Sequence, residues 1–119
     1  MGKPASPASI RGNIFDALGL EDASELQARV DLAVALTREA RRIIKDDGVS
    51  QKALAARIGI DPGDLSRVMS GSVRQFSQGR LERLLNKLGC VVEITVRRAD
   101  DDHPPTTYVD SSELLEPVA

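Results

Sequence analysis

Two short helical patterns joined by a glycine, in the segment 50–71, constrain this sequence more than any other feature. Ser50 can cap the first helix with its hydroxyl oxygen, and Leu54 and Ile58 lie one turn apart on the same face of that helix. Gly59 follows directly, and a residue without a Cβ atom can adopt the positive φ that ends a helix and turns the chain sharply. The segment therefore predicts a short helix with a defined end.

A second short helix is predicted directly after this turn. Asp61 can cap it, and Pro62 occupies its first position, where a missing backbone N–H costs nothing. Leu65 and Val68 face inward, and Ala55 of the preceding helix is small enough to let the two helices cross closely. The spacing is typical of a DNA-binding helix-turn-helix, with an ordinary helical hairpin as the alternative. The outer face of the second helix then carries Gly63, Asp64, Ser66 and Arg67.

The charge of the chain is unevenly distributed along its 119 residues. The whole chain has a formal net charge of −2 at pH 7, but residues 98–119 carry −5 and residues 1–97 carry +3. The segment 49–83, which contains both short helices, itself carries +3. Phosphate binding depends on local rather than total charge, so the net acidity does not exclude a nucleic acid as a partner.

The chain divides into three regions. Residues 1–12 are rich in Pro, Ser and Ala and are expected to form a flexible N-terminus. Residues 13–98 are expected to form one domain, and residues 99–119 an acidic, disordered tail. One modest domain is what a chain of this length supports.

Three further helices are predicted around the helix-turn-helix. Helical periodicity indicates a short segment at 13–20, a long helix over about 24–46 and a helix over about 77–88. The expected fold class is therefore all-α, with five helices. The residues predicted to form the buried stripe of the long helix are Leu26, Val30, Ala33, Val34, Thr37, Ala40 and Ile44.

The end of the domain predicts a β-strand. Residues 90–96, CVVEITV, are rich in β-branched side chains and alternate partly in polarity. A lone strand leaves a row of unpaired N–H and C=O groups, and pairing with the same strand of a second copy would satisfy them. The sheet edge of another protein, a helix extension and an unpaired segment are the alternatives. The dimerisation residues expected on this strand are Val92, Ile94 and Val96.

The sequence contains no arrangement of residues typical of catalysis. His103 is the only histidine and lies in the acidic tail, beside three aspartates (100–102) that could bind a cation only loosely. Cys90 adjoins an apolar run and is expected to be a small core residue rather than a nucleophile. Glycine-rich phosphate loops are absent as well. We therefore expect a protein that is not an enzyme and that holds no metal and no cofactor.

The cellular setting is constrained by cysteine usage and hydropathy. A single cysteine excludes an internal disulfide and fits a reducing, cytoplasmic compartment. No apolar run approaches the ~18 residues that a membrane-spanning helix needs, so no membrane contact is expected.

The stretch GVSQKALAARIGIDPGDLSRVMSGSVRQFSQGRLERLLNKLG resembles the Cro/repressor-like (XRE) helix-turn-helix domains. With NIFDALGL before the long helix and RQFSQGRLERLLNKLGCVVEITVR after the second short helix, residues 13–98 are similar to the HigA-like antitoxins of bacterial type II toxin–antitoxin systems. The resemblance implies a lambda-repressor-like fold and a homodimer that binds a palindromic operator in double-stranded DNA. It also implies autorepression and neutralisation of a RelE/HigB-type ribonuclease toxin, in the cytoplasm at the bacterial nucleoid.

The resemblance assigns DNA contacts to particular positions. Gln51 matches the family's phosphate-contacting position, and Arg67 belongs to a Ser-Arg pair on the recognition helix, where it can donate two parallel hydrogen bonds to guanine. Relatives often place a base-reading Gln where this chain has Pro62, so the base readout is expected to differ. Asp64 is expected to accept from cytosine or, beside phosphates, to tune specificity by repulsion. The complete expected set is Gln51, Lys52, Gly63, Asp64, Ser66, Arg67, Arg74, Gln75 and Ser77.

Three functions stay open on the sequence alone. The favoured one is an antitoxin that represses its own operon, and the second is a stand-alone XRE regulator without a toxin. The third is a protein-interaction module in which the helix-turn-helix only packs. A toxin would be contacted either by the segment 13–20 or by the tail, whose apolar anchors are Tyr108, Val109, Leu114 and Leu115.

Overall fold

The computed structural model describes residues 23–115. Within this range, helices are the only regular secondary structure. The longest helix packs against the three that follow it, most extensively against the last, and a short 3₁₀-helix contacts it from the tail. The all-α prediction is confirmed for this part of the chain. The elements are α1 (Ala23–Asp47), α2 (Gln51–Ile58), α3 (Pro62–Met69), α4 (Gln78–Lys87) and the 3₁₀-helix (Ser112–Leu114).

Local side-chain signals set the ends of the short helices. The Ser50 hydroxyl accepts a hydrogen bond from the Ala53 amide at 3.0 Å, and the Asp61 carboxylate accepts from the Gly63 amide at 2.8 Å. Gly59 ends α2 with φ +71°, in the left-handed region. The capping and turn predictions for this segment are confirmed.

The core is aliphatic apart from one aromatic ring. Phe76 is fully buried in the loop between α3 and α4, and it lies among leucines contributed by all four helices. Close packing of this kind tolerates little change in side-chain volume. The fully buried large side chains are Phe76, Leu36, Leu54, Leu65, Leu81 and Val68.

The buried face of α1 differs from the predicted stripe. Ala33 and Ala40 are buried as predicted, but Val30 and Val34 are 36% and 42% exposed. The face on the core also includes Arg29, which is 7% exposed and which the apolar pattern could not reveal. A helix this long carries two apolar ridges, and periodicity alone does not say which one the partners cover. The buried residues of α1 are Ala28, Arg29, Leu32, Ala33, Ala35, Leu36, Glu39, Ala40 and Ile43.

Two expected elements are not found in the described part of the chain. Residues 90–96, predicted as a strand, have no regular secondary structure, because a strand needs a partner and residues 23–115 of a single chain offer none. The described range holds four α-helices rather than five. The fifth was predicted at 13–20, which lies outside the described residues, as do the expected flexible N-terminus (1–12) and residues 116–119 of the tail.

Part of the acidic tail lies against α1. Val109 and Leu114 are half-buried and pack on the core, while Tyr108 is 63% and Leu115 52% exposed. Asp110 accepts a hydrogen bond from the Ser112 amide at 3.0 Å. Hydrogen bonds from the side chain and backbone of Ser112 lower the pKa of the Asp110 carboxyl. Disorder of the tail in solution stays a prediction.

The turn at Gly59 provides a test of this fold. Gly59→Ala should lower the free energy of unfolding by about 1 kcal/mol, because an L-residue is strained at φ +71°. The matched control is Gly79→Ala in α4, whose added Cβ would meet only the flexible end of Arg83, 3.4 Å away. The control should leave stability unchanged or raise it by up to about 1 kcal/mol. Urea unfolding of both variants measures this, and equal effects would contradict the assigned turn.

Candidate nucleic-acid interface

α2 and α3 form a rigid pair at the surface of the domain. The buried faces of the two helices, carrying Leu54, Ala55 and Ile58 on α2 and Leu65 and Val68 on α3, join the common core. Both helices also contact α1. The opposite face of α3 is left to solvent, which is the placement that a helix needs to enter the major groove of DNA.

The outer face of α3 carries a three-residue ion-pair network. The Arg67 Nη1 atom donates to Asp64 Oδ1 at 2.8 Å, and Arg80 Nη2 of α4 donates to Asp64 Oδ2 at 3.2 Å. We call this network the Arg67–Asp64–Arg80 bridge. Its aspartate side chain is 26% exposed, and the arginine side chains are 53% and 39% exposed. The bridge brings the predicted Asp64 and Arg67 together and adds Arg80, which was not predicted.

Gly63 lies beneath the Arg67 side chain. A Cβ atom at Gly63 would lie 3.0 Å from Asp61 Oδ1 and 3.4 Å from Arg67 Nη1, which is tighter than ordinary contact. The absence of a side chain at this position therefore leaves the Asp61 carboxylate and the Arg67 guanidinium uncrowded. Gly63 belongs to the interface for this reason, although it has no side chain to contribute.

The start of α2 adjoins the middle of α3. Gln51 lines a shallow groove together with Ser66 and Ser70 of α3, and Arg41 of α1 closes the same groove. The amino end of a helix and a nearby guanidinium both favour an anion. Arg41 was missed in the sequence because helical periodicity does not reveal that this part of α1 faces α2. The Lys52 side chain is exposed and makes no hydrogen bond or ion pair within residues 23–115.

The loop between α3 and α4 is anchored by its buried aromatic residue. Arg29 Nη1 donates to the Phe76 carbonyl at 3.2 Å, and the guanidinium carbon of Arg80 lies 4.8 Å from the centre of the Phe76 ring. With Phe76 held inside, its neighbours Arg74 and Gln75 are exposed. Neither of them forms a hydrogen bond or ion pair in the described part of the chain.

Ser77, the last of the predicted contacts, has a structural role as well. Its hydroxyl oxygen accepts a hydrogen bond from the Arg80 amide at 3.1 Å and caps α4. The hydroxyl hydrogen is still available for donation to a phosphate oxygen. Capping also fixes the backbone of Arg80, which is part of the bridge to α3.

The predicted dimerisation residues follow α4. Val92 is half-buried against the core of its own chain, whereas Ile94 and Val96 are 76% and 90% exposed, and Val91 is 84% exposed. Within the described range, the backbone groups of residues 91–97 take part in no backbone hydrogen bond. These residues therefore present apolar side chains and free backbone donors and acceptors together.

Cys90 and the aspartates of the tail show no sign of reactive or metal-binding chemistry. Burial is the main cause that raises the pKa of the Cys90 thiol, and nearby Glu39 adds to it against the opposing effect of Arg42. The thiol is therefore protonated at neutral pH. Among residues 23–115, no three or more His, Cys, Asp or Glu side chains group as metal ligands would.

No helix within the described range combines the length and apolarity needed to cross a membrane.

Comparison with known proteins identifies the family. A family described as a helix-turn-helix domain matches residues 14–97, so the chain belongs to it. A solved structure described as "Putative XRE Family Transcriptional Regulator" is similar, with 34% sequence identity and a TM-score of 0.61. The similarity covers 75% of this chain and 96% of that one. No curated protein matches significantly.

The fold and the family agree on the class of protein. The matches support a DNA-binding transcriptional regulator with an XRE-type helix-turn-helix, a class that is typically not enzymatic.

The unpaired Arg74 side chain generates a prediction for this interface. Arg74→Ala should weaken binding to all DNA sequences alike and make the affinity less dependent on salt, because one phosphate contact is lost. Arg98→Ala, in the segment after α4, removes the same charge outside the interface and serves as the control. Fluorescence anisotropy on several unrelated duplexes at three salt concentrations measures both variants. An effect confined to one sequence, or an equal effect of Arg98→Ala, would contradict the assignment.

Proposed function

We propose that this chain is a sequence-specific transcriptional repressor that binds a palindromic operator in double-stranded DNA as a homodimer. The observation that carries the proposal is the outer face of α3, where Arg67 stands half exposed beside Ser66 on a helix whose other face is buried. An arginine guanidinium offers the parallel donors that match the O6 and N7 acceptors of guanine. In this role the chain acts in the cytoplasm, at the bacterial nucleoid.

Base reading centres on Arg67 because the first two positions of α3, Pro62 and Gly63, carry no polar side chain. Pro62 occupies the first helical position, and a proline offers no hydrogen-bond donor for a base edge. The neighbouring Gly63 contributes space rather than a side chain. Discrimination between bases is therefore expected to be concentrated on one guanidinium.

Phosphate contacts would flank this reading position on both sides. The α2 side supplies Gln51 and Lys52, with Arg41 of α1 beside them. The α3–α4 loop supplies Arg74, Gln75 and the Ser77 hydroxyl. Contacts of this kind fix the register of a protein on the duplex but carry no sequence information themselves.

Arg67→Ala tests the DNA-reading role directly. The variant should lose about 1–3 kcal/mol of binding free energy on the cognate site and should relax specificity at the guanine it contacts. Arg57→Ala is the control, because Arg57 is likewise exposed and ion-paired at 2.8 Å, to Asp47, but lies on α2 and not on the outer face of α3. Gel shifts on the gene's own promoter measure both. Binding that does not change with Arg67→Ala would reject the assignment.

We further propose that the homodimer forms through residues 90–96, with Val92, Ile94 and Val96 as its dimerisation residues. The support is the combination of free backbone groups over 91–97 with exposed Ile94 and Val96. Pairing with the same segment of a second copy would complete the hydrogen bonds and cover these side chains. A two-fold dimer would present two α3 helices about one helical turn of DNA, ~34 Å, apart.

Ile94→Pro should convert the dimer to a monomer with poor operator affinity, because proline removes a backbone donor from the pairing. Ile94→Thr, which keeps the N–H and the β-branched shape, is the control and should stay dimeric. Sedimentation velocity at micromolar concentration measures both variants. An unmodified chain that sediments as a monomer would reject the proposed dimer.

The biological role that we propose is that of an antitoxin in a type II toxin–antitoxin system, neutralising a RelE/HigB-type ribonuclease. The resemblance over 13–98 suggests it, and the acidic tail adds support. A ribonuclease presents a basic surface to RNA, and an acidic segment with exposed Tyr108 and Leu115 has the charge and the apolar anchors to cover it. A stand-alone XRE regulator without a toxin is the second candidate, favoured by the description of the similar solved structure.

The toxin contact is tested by a paired substitution. Tyr108→Ser with Leu115→Ser removes the exposed anchors of the tail and leaves Val109 and Leu114 on the core. If the tail binds, the affinity for a ribonuclease encoded beside this gene should fall at least tenfold in calorimetry. Val34→Ser, at an exposed valine of α1 that lies outside the tail and outside residues 90–96, is the control. Unchanged affinity would exclude the tail and assign the contact to 13–20, whereas a wild-type chain that binds no such ribonuclease would reject the antitoxin role.

A further inference from the structure

Both oxygens of the Asp64 carboxylate are engaged by arginines from two different helices. Oδ1 accepts from Arg67 at 2.8 Å, one turn further along α3, and Oδ2 accepts from Arg80 of α4 at 3.2 Å. Each oxygen keeps a second lone pair, but a cytosine amine that approached it would meet the guanidinium already bound there, so these contacts argue against cytosine reading by Asp64. The Arg67–Asp64–Arg80 bridge as a whole carries one net positive charge, which also argues against repulsion of phosphates as the main effect.

We propose that Asp64 is a positioning residue for base recognition, which orients the Arg67 guanidinium toward guanine and does not contact the base itself. The inference rests on the DNA-binding function proposed above. A guanidinium has five N–H donors, and the contact with Asp64 occupies one of them. The other four make no contact in the described residues, and they include the parallel pair on Nε and Nη2 that bidentate recognition of guanine requires.

Arg80 of α4 forms the second ion pair of the Arg67–Asp64–Arg80 bridge. Its guanidinium lies over the buried Phe76 ring at 4.8 Å, and its backbone amide is held by the Ser77 cap. The Arg80 guanidinium, which binds Asp64 Oδ2, is therefore itself held in place by its contact with the buried Phe76 ring. Arg67 is thus held before DNA arrives, which reduces the rotamer freedom that it would otherwise lose on binding.

Gly63 leaves the surface of α3 beside the Arg67 side chain without a side chain of its own. A Cβ atom there would lie 3.0 Å from Asp61 Oδ1 and 3.4 Å from the flexible end of Arg67 at Nη1, so glycine leaves this part of the α3 surface uncrowded. Three residues therefore act on the Arg67 guanidinium: Asp64 directly, and Arg80 and Phe76 through Asp64.

The expected signature is a loss of specificity without a loss of general affinity. Removal of the carboxylate frees Arg67 to sample several rotamers, so discrimination at its guanine should fall at least about fivefold. The same change removes a negative charge near the phosphates, so affinity for unrelated DNA should stay equal or rise. A merely structural role for Asp64 would lower both together.

The experiment uses the full chain and a site selected by the unmodified protein from a random duplex pool. The Kd ratio between this site and a duplex with the contacted guanine replaced is measured for Asp64→Ala, Asp64→Asn, Arg67→Ala and the double variant Asp64→Ala/Arg67→Ala. We expect a large loss of discrimination for Asp64→Ala and a smaller one for Asp64→Asn, whose amide still offers one accepting oxygen. In the Arg67→Ala background, Asp64→Ala should cause no further loss.

The charge control is Glu82→Gln on α4, where Glu82 accepts from Gln78 at 3.1 Å and has no contact with the bridge. This variant adds the same charge as Asp64→Asn and should keep full discrimination. Circular dichroism confirms that each variant is folded.

Two results would overturn the inference alone. One is an unchanged ratio in the folded Asp64→Ala and Asp64→Asn variants, and the other is a loss of discrimination that persists in the Arg67→Ala background, which would show that Asp64 reads a base directly. An unmodified chain that selects no sequence from the pool would overturn the proposed function, and this inference with it.

Discussion

The left-handed turn at Gly59 is the constraint on which the rest of the interface depends. It ends α2 after eight residues and lets α3 begin three residues later at an angle that places Leu65 and Val68 on the shared core. If α2 continued, the apolar face of α3 would have no surface to cover and its polar face no defined direction. Ser50 and Asp61 reinforce the turn by satisfying backbone donors at both helix starts.

Phe76 links the buried core to the polar surface of the interface. Its ring is fully buried, its carbonyl is bound by Arg29, and Arg80 lies over its face. The same arginine reaches the Asp64 carboxylate, so three successive contacts connect the packed Phe76 ring to Arg67. In a protein whose local charge is only moderately positive, such placement of individual cations matters more than total charge.

Features that depend on adjacent residues could be predicted from the sequence. The caps, the glycine turn and the start of α4 at Ser77 all follow from hydrogen bonds within a few residues. The bridge between Asp64 and Arg80 could not be predicted, because sixteen residues and a loop separate the two side chains.

The sequence was less informative about which of several apolar faces is buried and about which segment pairs with which. Helix α1 has two apolar ridges, and the one with the exposed Val30 and Val34 is not the face that the other helices cover. The strand predicted at 90–96, which was expected to pair with a second copy, is not formed in the single chain, because strand geometry is defined by a pairing partner that the described residues do not supply. Sequence patterns describe each segment well but do not specify what lies opposite it.

An NMR titration of the isotope-labelled full chain with the selected operator duplex tests the central claim most directly. If the outer face of α3 reads DNA, the largest amide shift changes should fall on residues 61–70, with smaller ones on 51–52 and 74–77. Amides of Val30 and Val34, on the exposed ridge of α1, should change little. Large changes on that ridge or in the tail, with α3 unaffected, would contradict the assignment of the helix-turn-helix as the DNA-binding surface.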